Sequence, residues 1–294
     1  MVHSRIGNRE VTKKIICLAV CLMLIDSVAV AAIKQQKLLA SDSKMFDHFG
    51  WSVSISGDEN TIAVGAPFAD KGINADQGSA DIFWRSGSKW LQQQKVTSTD
   101  GAAFDRFGWS LSMSSDGTTM AVGAPYHKVS GKNEQGSAYV FVRNGGKWTQ
   151  QQKLTASDGS VGDRFGCSVS MSSDGNIIVI GAPFADVDKR SDKGSAYVFV
   201  QSKGQWIQKQ KLTALDGSAN DHFGQSVSIS GSGNVMVSGA HDKNIGRNTS
   251  QGSVYVLSKG LVPDFTMKEL SIILTVLTGF GILYYLRRRK KEKN

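Results

Sequence analysis

Proline and cysteine are both scarce: 4 and 3 in a chain of 294 residues. So few prolines exclude a collagen-like or polyproline chain, even beside 32 glycines. Cys17 and Cys21 lie in an apolar N-terminal run, which leaves Cys167 alone. No disulfide framework can therefore staple the core. Nor does the body of the chain have a surplus of one charge. The formal net charge is +9, but residues 33–258 carry 22 basic and 20 acidic groups, and the excess sits at the two ends. A near-neutral body lacks the footprint of a nucleic-acid binder. There is also no Gly-rich phosphate loop and no Cys/His zinc spacing.

The ends read as targeting segments. Arg5, Arg9, Lys13 and Lys14 precede the apolar stretch IICLAVCLMLI, and Ala29 with Ala31 (or Val30 with Ala32) satisfies the small-residue cleavage rule. Residues 1–32 are therefore expected to be a signal helix. After a linker over 259–269, residues 270–286 carry no charge and suit one transmembrane helix. The basic tail, residues 287–294, would stay in the cytoplasm. This places residues 33–258 outside the cell.

Between the ends the chain repeats. Phe49-Gly50, Phe107-Gly108, Phe165-Gly166 and Phe223-Gly224 each stand 58 residues apart. Gly-Ala-Pro at 65–67, 123–125 and 181–183, with Gly239-Ala240-His241 in the fourth place, keeps the same step. So do Gly78-Ser79, Gly136-Ser137, Gly194-Ser195 and Gly252-Ser253. A fixed period of this length signals a repeat architecture. The copies run near 41–98, 99–156, 157–214 and 215–258.

Each copy reads as four strands. WSVSIS, WSLSMS, CSVSMS and QSVSIS alternate with period two, which is strand patterning. Their serine face lets another sheet approach closely. IAVGA-type, GSAYVFV-type and WTQQQKL-type segments follow, the last polar enough for an exposed edge. Four-stranded units in tandem predict an all-β fold, a β-propeller of four four-stranded blades. The last copy lacks its outer strand, and IKQQKLLA at 33–40 precedes the first. Residues 33–40 are expected to close the ring as the outer strand of the last blade. Two other arrangements use the same strands: a larger ring completed by a partner, and an open stack.

These residues resemble FG-GAP repeats, the blade motif of integrin α-chain propellers, over roughly residues 33–258. The resemblance implies adhesion, matrix contact or ligand recognition outside the cell, and implies no enzyme activity, although such a propeller also accompanies a phospholipase domain. Two departures stand out. Integrin propellers have seven blades. Several of their hairpins also carry an Asp-rich calcium loop, which here is cut to turns such as Ser115-Asp116-Gly117 and Ser173-Asp174-Gly175. One carboxylate cannot supply the 6–8 oxygens that calcium takes. No metal site and no cofactor are expected.

The loops after Gly-Ala-Pro differ between copies, as a rigid scaffold displaying a binding surface would have it. Asp70, Tyr126, His127, Asp186, Asp188, Lys189, Arg190, Asp192 and Arg247 are the contact residues expected from them. The partner would be an extracellular protein or carbohydrate. Phe49, Gly50, Phe107, Gly108, Phe165, Gly166, Phe223 and Gly224 read as scaffold. Asp47, Asp105, Asp163 and Asp221 suit Asx turns, and Cys167 suits packing. Asn248-Thr249-Ser250 is an N-glycosylation sequon, meaningful in a eukaryotic host. The expected function is a membrane-anchored adhesion or recognition module on the cell surface. An enzyme acting on surface polysaccharide is one alternative. The other is a structural envelope protein with a processed C-terminal sorting signal.

Overall fold

A computed structural model describes residues 35–258, and every regular element among them is a β-strand. The first sheet holds β1 (Ser52–Ile55), β2 (Thr61–Ala66), β3 (Ser79–Ser86) and β4 (Lys89–Val96) as an antiparallel meander. The second holds β5 (Ser110–Met113), β6 (Thr119–Ala124), β7 (Ser137–Asn144) and β8 (Lys147–Leu154). The third holds β9 (Ser168–Met171), β10 (Ile177–Ala182), β11 (Ser195–Ser202) and β12 (Gln205–Leu212). The fourth has three strands, β13 (Ser226–Ile229), β14 (Val235–Ala240) and β15 (Ser253–Ser258). Four such sheets in tandem fit a four-bladed propeller.

Local chemistry sets the hairpins. Gly145-Gly146 and Lys203-Gly204 have φ values of 56° and 82°, and of 52° and 80°. Two successive left-handed residues make the type I′ turn that matches strand twist. The short turns between β5 and β6 and between β9 and β10 are Asx turns. Asp116 Oδ1 accepts the Thr118 N–H, and Asp174 Oδ1 accepts the Asn176 N–H, both at 3.0 Å. Ser114 and Ser172 hydroxyls donate to the same two oxygens. These carboxylates are thus engaged by the turns themselves.

The core lies between successive sheets rather than inside any one of them. The three repeated motifs meet there. The Phe-Gly of each blade runs alongside the Gly-Ser of the blade before it, in the bridges Gly78 to Phe107, Gly136 to Phe165 and Gly194 to Phe223. Phe107, Phe165 and Phe223 are fully buried. A Cβ added at Gly65, Gly123 or Gly181 would overlap the carbonyl oxygen of Gly108, Gly166 or Gly224 of the next blade. Serine hydroxyls donate to those same carbonyls: Ser52, Ser110 and Ser168, each at 2.8 Å. The polar outer strands are stitched as well. Gln94 Nε2 donates to the Trp148 carbonyl and its Oε1 accepts the Trp148 N–H, both at 2.8 Å, and Gln152 does the same with Trp206. The glutamines expected to dress an exposed edge thus join neighbouring blades.

A charged clip follows each outer strand. Asp100 accepts from Lys153 Nζ at 2.7 Å and from the Tyr139 hydroxyl at 2.9 Å, and Asp158 repeats this with Lys211 and Tyr197. Burial works against their charge, but the lysine and tyrosine bonds outweigh it and hold both carboxyls below the usual range. In the first blade Asp81 replaces the tyrosine. It is fully buried; Gln92 Nε2 donates to its Oδ1 at 2.7 Å, while Oδ2 has no hydrogen-bond partner. Burial pushes its pKa up to about 6.

The closing strand expected over 33–40 is not formed among the described residues, which begin at 35. Residues 35–40 carry no strand, and β15 pairs only with β14. The residues after Leu38 are instead tied to the blade that follows them. The Ser41 N–H donates to Gln92 Oε1 at 2.8 Å, and Lys95 pairs with Asp42. The linkers at Thr99 and Ser157 make the equivalent bond to Gln150 and Gln208. A strand on β15 would need the end blades to meet, and both end faces are open. Val53 and Ile55 are 67% and 55% exposed, and Val254 and Val256 are 68% and 70% exposed. The signal helix over 1–32, the linker 259–269, the transmembrane helix over 270–286 and the tail 287–294 lie outside the described residues. Among the described residues no helix is long and apolar enough to cross a membrane.

Two outcomes are expected. Gly123→Ala should lose about 3 kcal/mol in urea denaturation, because its methyl meets backbone of the next blade. Gly239→Ala, whose added Cβ meets only the turnable Ser226 hydroxyl, should stay within about 0.5 kcal/mol. An equal loss at both positions would mean that another blade packs on the fourth. Asp81→Asn should be stabilising at neutral pH. The folded pKa of Asp81, about 6, exceeds the ordinary aspartate value of 3.8, so its carboxylate costs nothing below 3.8 and progressively more as pH rises through 6. The variant should gain on the order of 2–3 kcal/mol at about pH 7 and nothing near pH 4. A gain that does not change with pH would refute the assignment.

Candidate functional site

The loops that follow β2, β6, β10 and β14 share one build. Each is closed by a reciprocal backbone pair: Lys71 with Asn74, Val129 with Lys132, Val187 with Arg190, and Ile245 with Asn248. In three of the four a side chain then braces the loop from within. Asp70, Asp186 and Asn244 accept the N–H of Asp76, Asp192 and Ser250 at 3.1, 3.0 and 2.8 Å. Asp70 and Asp186, expected as contact residues, are therefore loop braces.

The other expected contact residues divide. His127 is buried, with Nδ1 2.8 Å from Asp105 Oδ2 and Nε2 3.1 Å from Lys153 Nζ, so it faces the clip rather than solvent. Arg190 donates to the Gly217 carbonyl at 2.7 Å and ties its loop to the next blade. Asp188 lies 3.4 Å from Lys193 Nζ. Asp192 presents its carbonyl to the His222 N–H at 3.1 Å. Asp186, Asp188 and Asp192 thus serve three separate contacts instead of converging. Lys189 and Arg247 are exposed, as is Asn248 of the sequon, whose Nδ2 donates to Gln251 at 2.9 Å.

Asp47, Asp105, Asp163 and Asp221 are buried and accept the N–H three residues upstream at 2.6–2.8 Å, the turn role expected of them. Cys167 is half-buried, and burial raises its thiol pKa.

Tyr126 leads to a feature that the sequence reasoning missed. It lies between two guanidinium groups, Arg106 at 4.2 Å and Arg164 at 4.8 Å from its ring centroid. Arg106 also covers Phe68 at 4.9 Å, and Arg164 covers Phe184 at 4.6 Å. The series continues at both ends. His48 packs on Phe68 and His222 on Phe184, each at 4.8 Å. Trp51 and Trp109 lie alongside, 4.7 Å apart, with Trp109 5.6 Å from Tyr126. A continuous belt in which Arg or His side chains alternate with aromatic rings thus runs along the loop roots, from the first blade to the fourth.

The belt is built by backbone geometry. His48, Arg106, Arg164 and His222 all have φ between 53° and 56°, a left-handed setting that is costly for residues with a Cβ. It turns each side chain back onto the aromatic ring that follows Gly-Ala-Pro. Each cation–π contact contributes on the order of 0.5–2 kcal/mol. Arg164 is also held by Glu134, with Nε and Nη2 both 3.0 Å from Oε2. Arg106 has no such partner, and its Nε–H is buried with no acceptor. The signal was present in the sequence: the residue before each Phe-Gly and the aromatic after each Gly-Ala-Pro keep the 58-residue step. The interchange of His and Arg at that position hides what the two share, a flat group that stacks.

The FG-GAP repeat family matches residues 33–83, 90–141, 148–199 and 206–257. Integrin alpha-2 of Mus musculus is 27% identical over 155 residues, covering 48% of this chain and 12% of its own length. The chain thus corresponds to about an eighth of that relative. Hydrazine synthase of Kuenenia stuttgartiensis, a solved structure, superposes with a TM-score of 0.46 at 14% identity, over 76% of this chain and 49% of that one. With four tandem segments matched in register over more than half its length, the chain belongs to the FG-GAP repeat family.

Proposed function

We propose that this chain is a ligand-recognition propeller displayed on the cell surface, and that it binds through the belt and the exposed loop tips around it. The observation that carries this reading is Arg106. Its guanidinium is clamped between Phe68 and Tyr126, yet its Nε–H is buried with no acceptor. A buried donor left unmade is costly unless an incoming group completes it. Flat rings beside an unsatisfied guanidinium suit a ligand that presents both a carboxylate and an apolar face, such as an acidic sugar or an Asp- or Glu-bearing protein loop. Lys189 and Arg247 would extend the positive rim. Adhesion follows if that ligand belongs to matrix or to another cell.

The remaining parts of the reading rest on sequence. Residues 1–32 would direct export, and residues 270–286 would hold the propeller outside the membrane. Neither calcium nor catalysis is required, and nucleic acid is not a partner.

Binding of the full chain to an acidic polysaccharide and to matrix protein preparations tests this. Trp51→Ala should weaken binding at least about tenfold with melting temperature little changed, and Arg106→Ala should weaken it as much while also lowering the melting temperature, because two stacked contacts are lost. Full binding by both variants, and by a Lys189→Glu and Arg247→Glu double variant, would refute the surface assigned here.

A further inference from the structure

The belt ends differently in the fourth blade. His241 stands where the other copies carry Pro67, Pro125 and Pro183. Asp242 stands where they carry Phe68, Tyr126 and Phe184. His222 replaces the arginine of the second and third copies. The scaffold does not ask for His241 and Asp242, since the other three copies fold without them. All three meet at one point. Asp242 Oδ2 lies 2.9 Å from His222 Nδ1 and 3.0 Å from His241 Nε2. One ligand atom from each residue falls within a span of 4.8 Å, the sole such cluster among the described residues.

We propose that His222, His241 and Asp242 bind a divalent transition-metal cation of the zinc class. Two imidazoles and one carboxylate suit such an ion and do not suit calcium, which takes six or more oxygens. Ligands of tetrahedral zinc, each about 2.0–2.2 Å from the ion, sit roughly 3.3 Å from one another. The carboxylate oxygen already stands near that spacing from both imidazoles. Binding exchanges the imidazole N–H donations to Asp242 for bonds to the ion.

His222 is the fixed member. Its backbone N–H is bound to the Asp192 carbonyl at 3.1 Å, its ring packs on Phe184, and its side chain is 14% exposed. His241 is the adjustable one, 56% exposed, with its ring stacked 5.5 Å from that of His222 at 26°. A turn about its side-chain torsions brings both nitrogens onto a common centre. Three protein ligands leave at least one position open. That position faces a cleft of about 220 Å³ lined by Tyr126, Arg164, Cys167 and Gln225, where an oxygen of a bound ligand could complete the shell. The site stands independently of the recognition reading, since metal uptake needs no partner.

The test uses the full chain in detergent micelles, stripped of metal and titrated with zinc chloride by calorimetry, with calcium chloride in parallel. One zinc should bind, and zinc should raise the melting temperature, whereas calcium should do neither. The His241→Pro, Asp242→Phe double variant restores the third copy's residues and should keep the metal-free melting temperature. It should lose the zinc response. Asp242→Asn, a gentler change, should weaken zinc binding at least about tenfold. No zinc binding by the native chain, or equal binding by both variants, would overturn the proposal.

Discussion

Successive blades touch backbone to backbone, and most of the molecule follows from that closeness. The glycine of Gly-Ala-Pro has no Cβ, so the carbonyl of the Phe-Gly glycine in the next blade can occupy the space. The neighbouring serine hydroxyl then satisfies that carbonyl, which would otherwise be buried without a donor. The phenylalanine just before it goes into the core between sheets. Three motifs scattered over a 58-residue unit are therefore one contact, assembled from two units. This is why they keep their spacing while the loops between them vary. It also accounts for a stable core without disulfides: each interface combines close backbone contact with apolar burial.

The belt depends on the same contact. The residue before each buried phenylalanine takes a left-handed backbone because its neighbour is anchored, and its side chain is thereby aimed at the aromatic ring of the Gly-Ala-Pro segment. Scaffold and surface are thus built from adjacent residues. Arg106 and Phe107 illustrate the division: one ring is fully buried, and one guanidinium lies between two aromatic faces with a donor to spare.

Much of the fold was legible because strand patterning is local. Val169 and Met171 face the second sheet while Ser168 and Ser170 face the fourth, as strict alternation in CSVSMS requires. Closure was not legible. IKQQKLLA has the composition of β4, β8 and β12, but a strand also needs a bonded partner, and no local pattern reports whether β15 comes within reach. The glutamines misled for a related reason. Gln94 and Gln152 are polar, which reads as solvent exposure, yet their amides reproduce a strand's donor and acceptor and join blades. On the surface, acidic loop residues stand out as possible ligand contacts, and the bonds by which Asp70 and Asp186 also brace their own loops have no local sequence signal. The stacking of His or Arg on an aromatic 20 residues later is a tertiary relation, visible in sequence only once the register of the two positions is compared.

Interfaces of this kind join neighbours only, so cohesion grows with each added sheet and hardly depends on the total. Such a construction tolerates duplication or loss of a whole unit in the gene, because a newcomer brings both halves of the junction with it. The number of sheets is then a matter of recombination history, while the chemistry of any one of them, as in the fourth, is free to drift toward a task of its own.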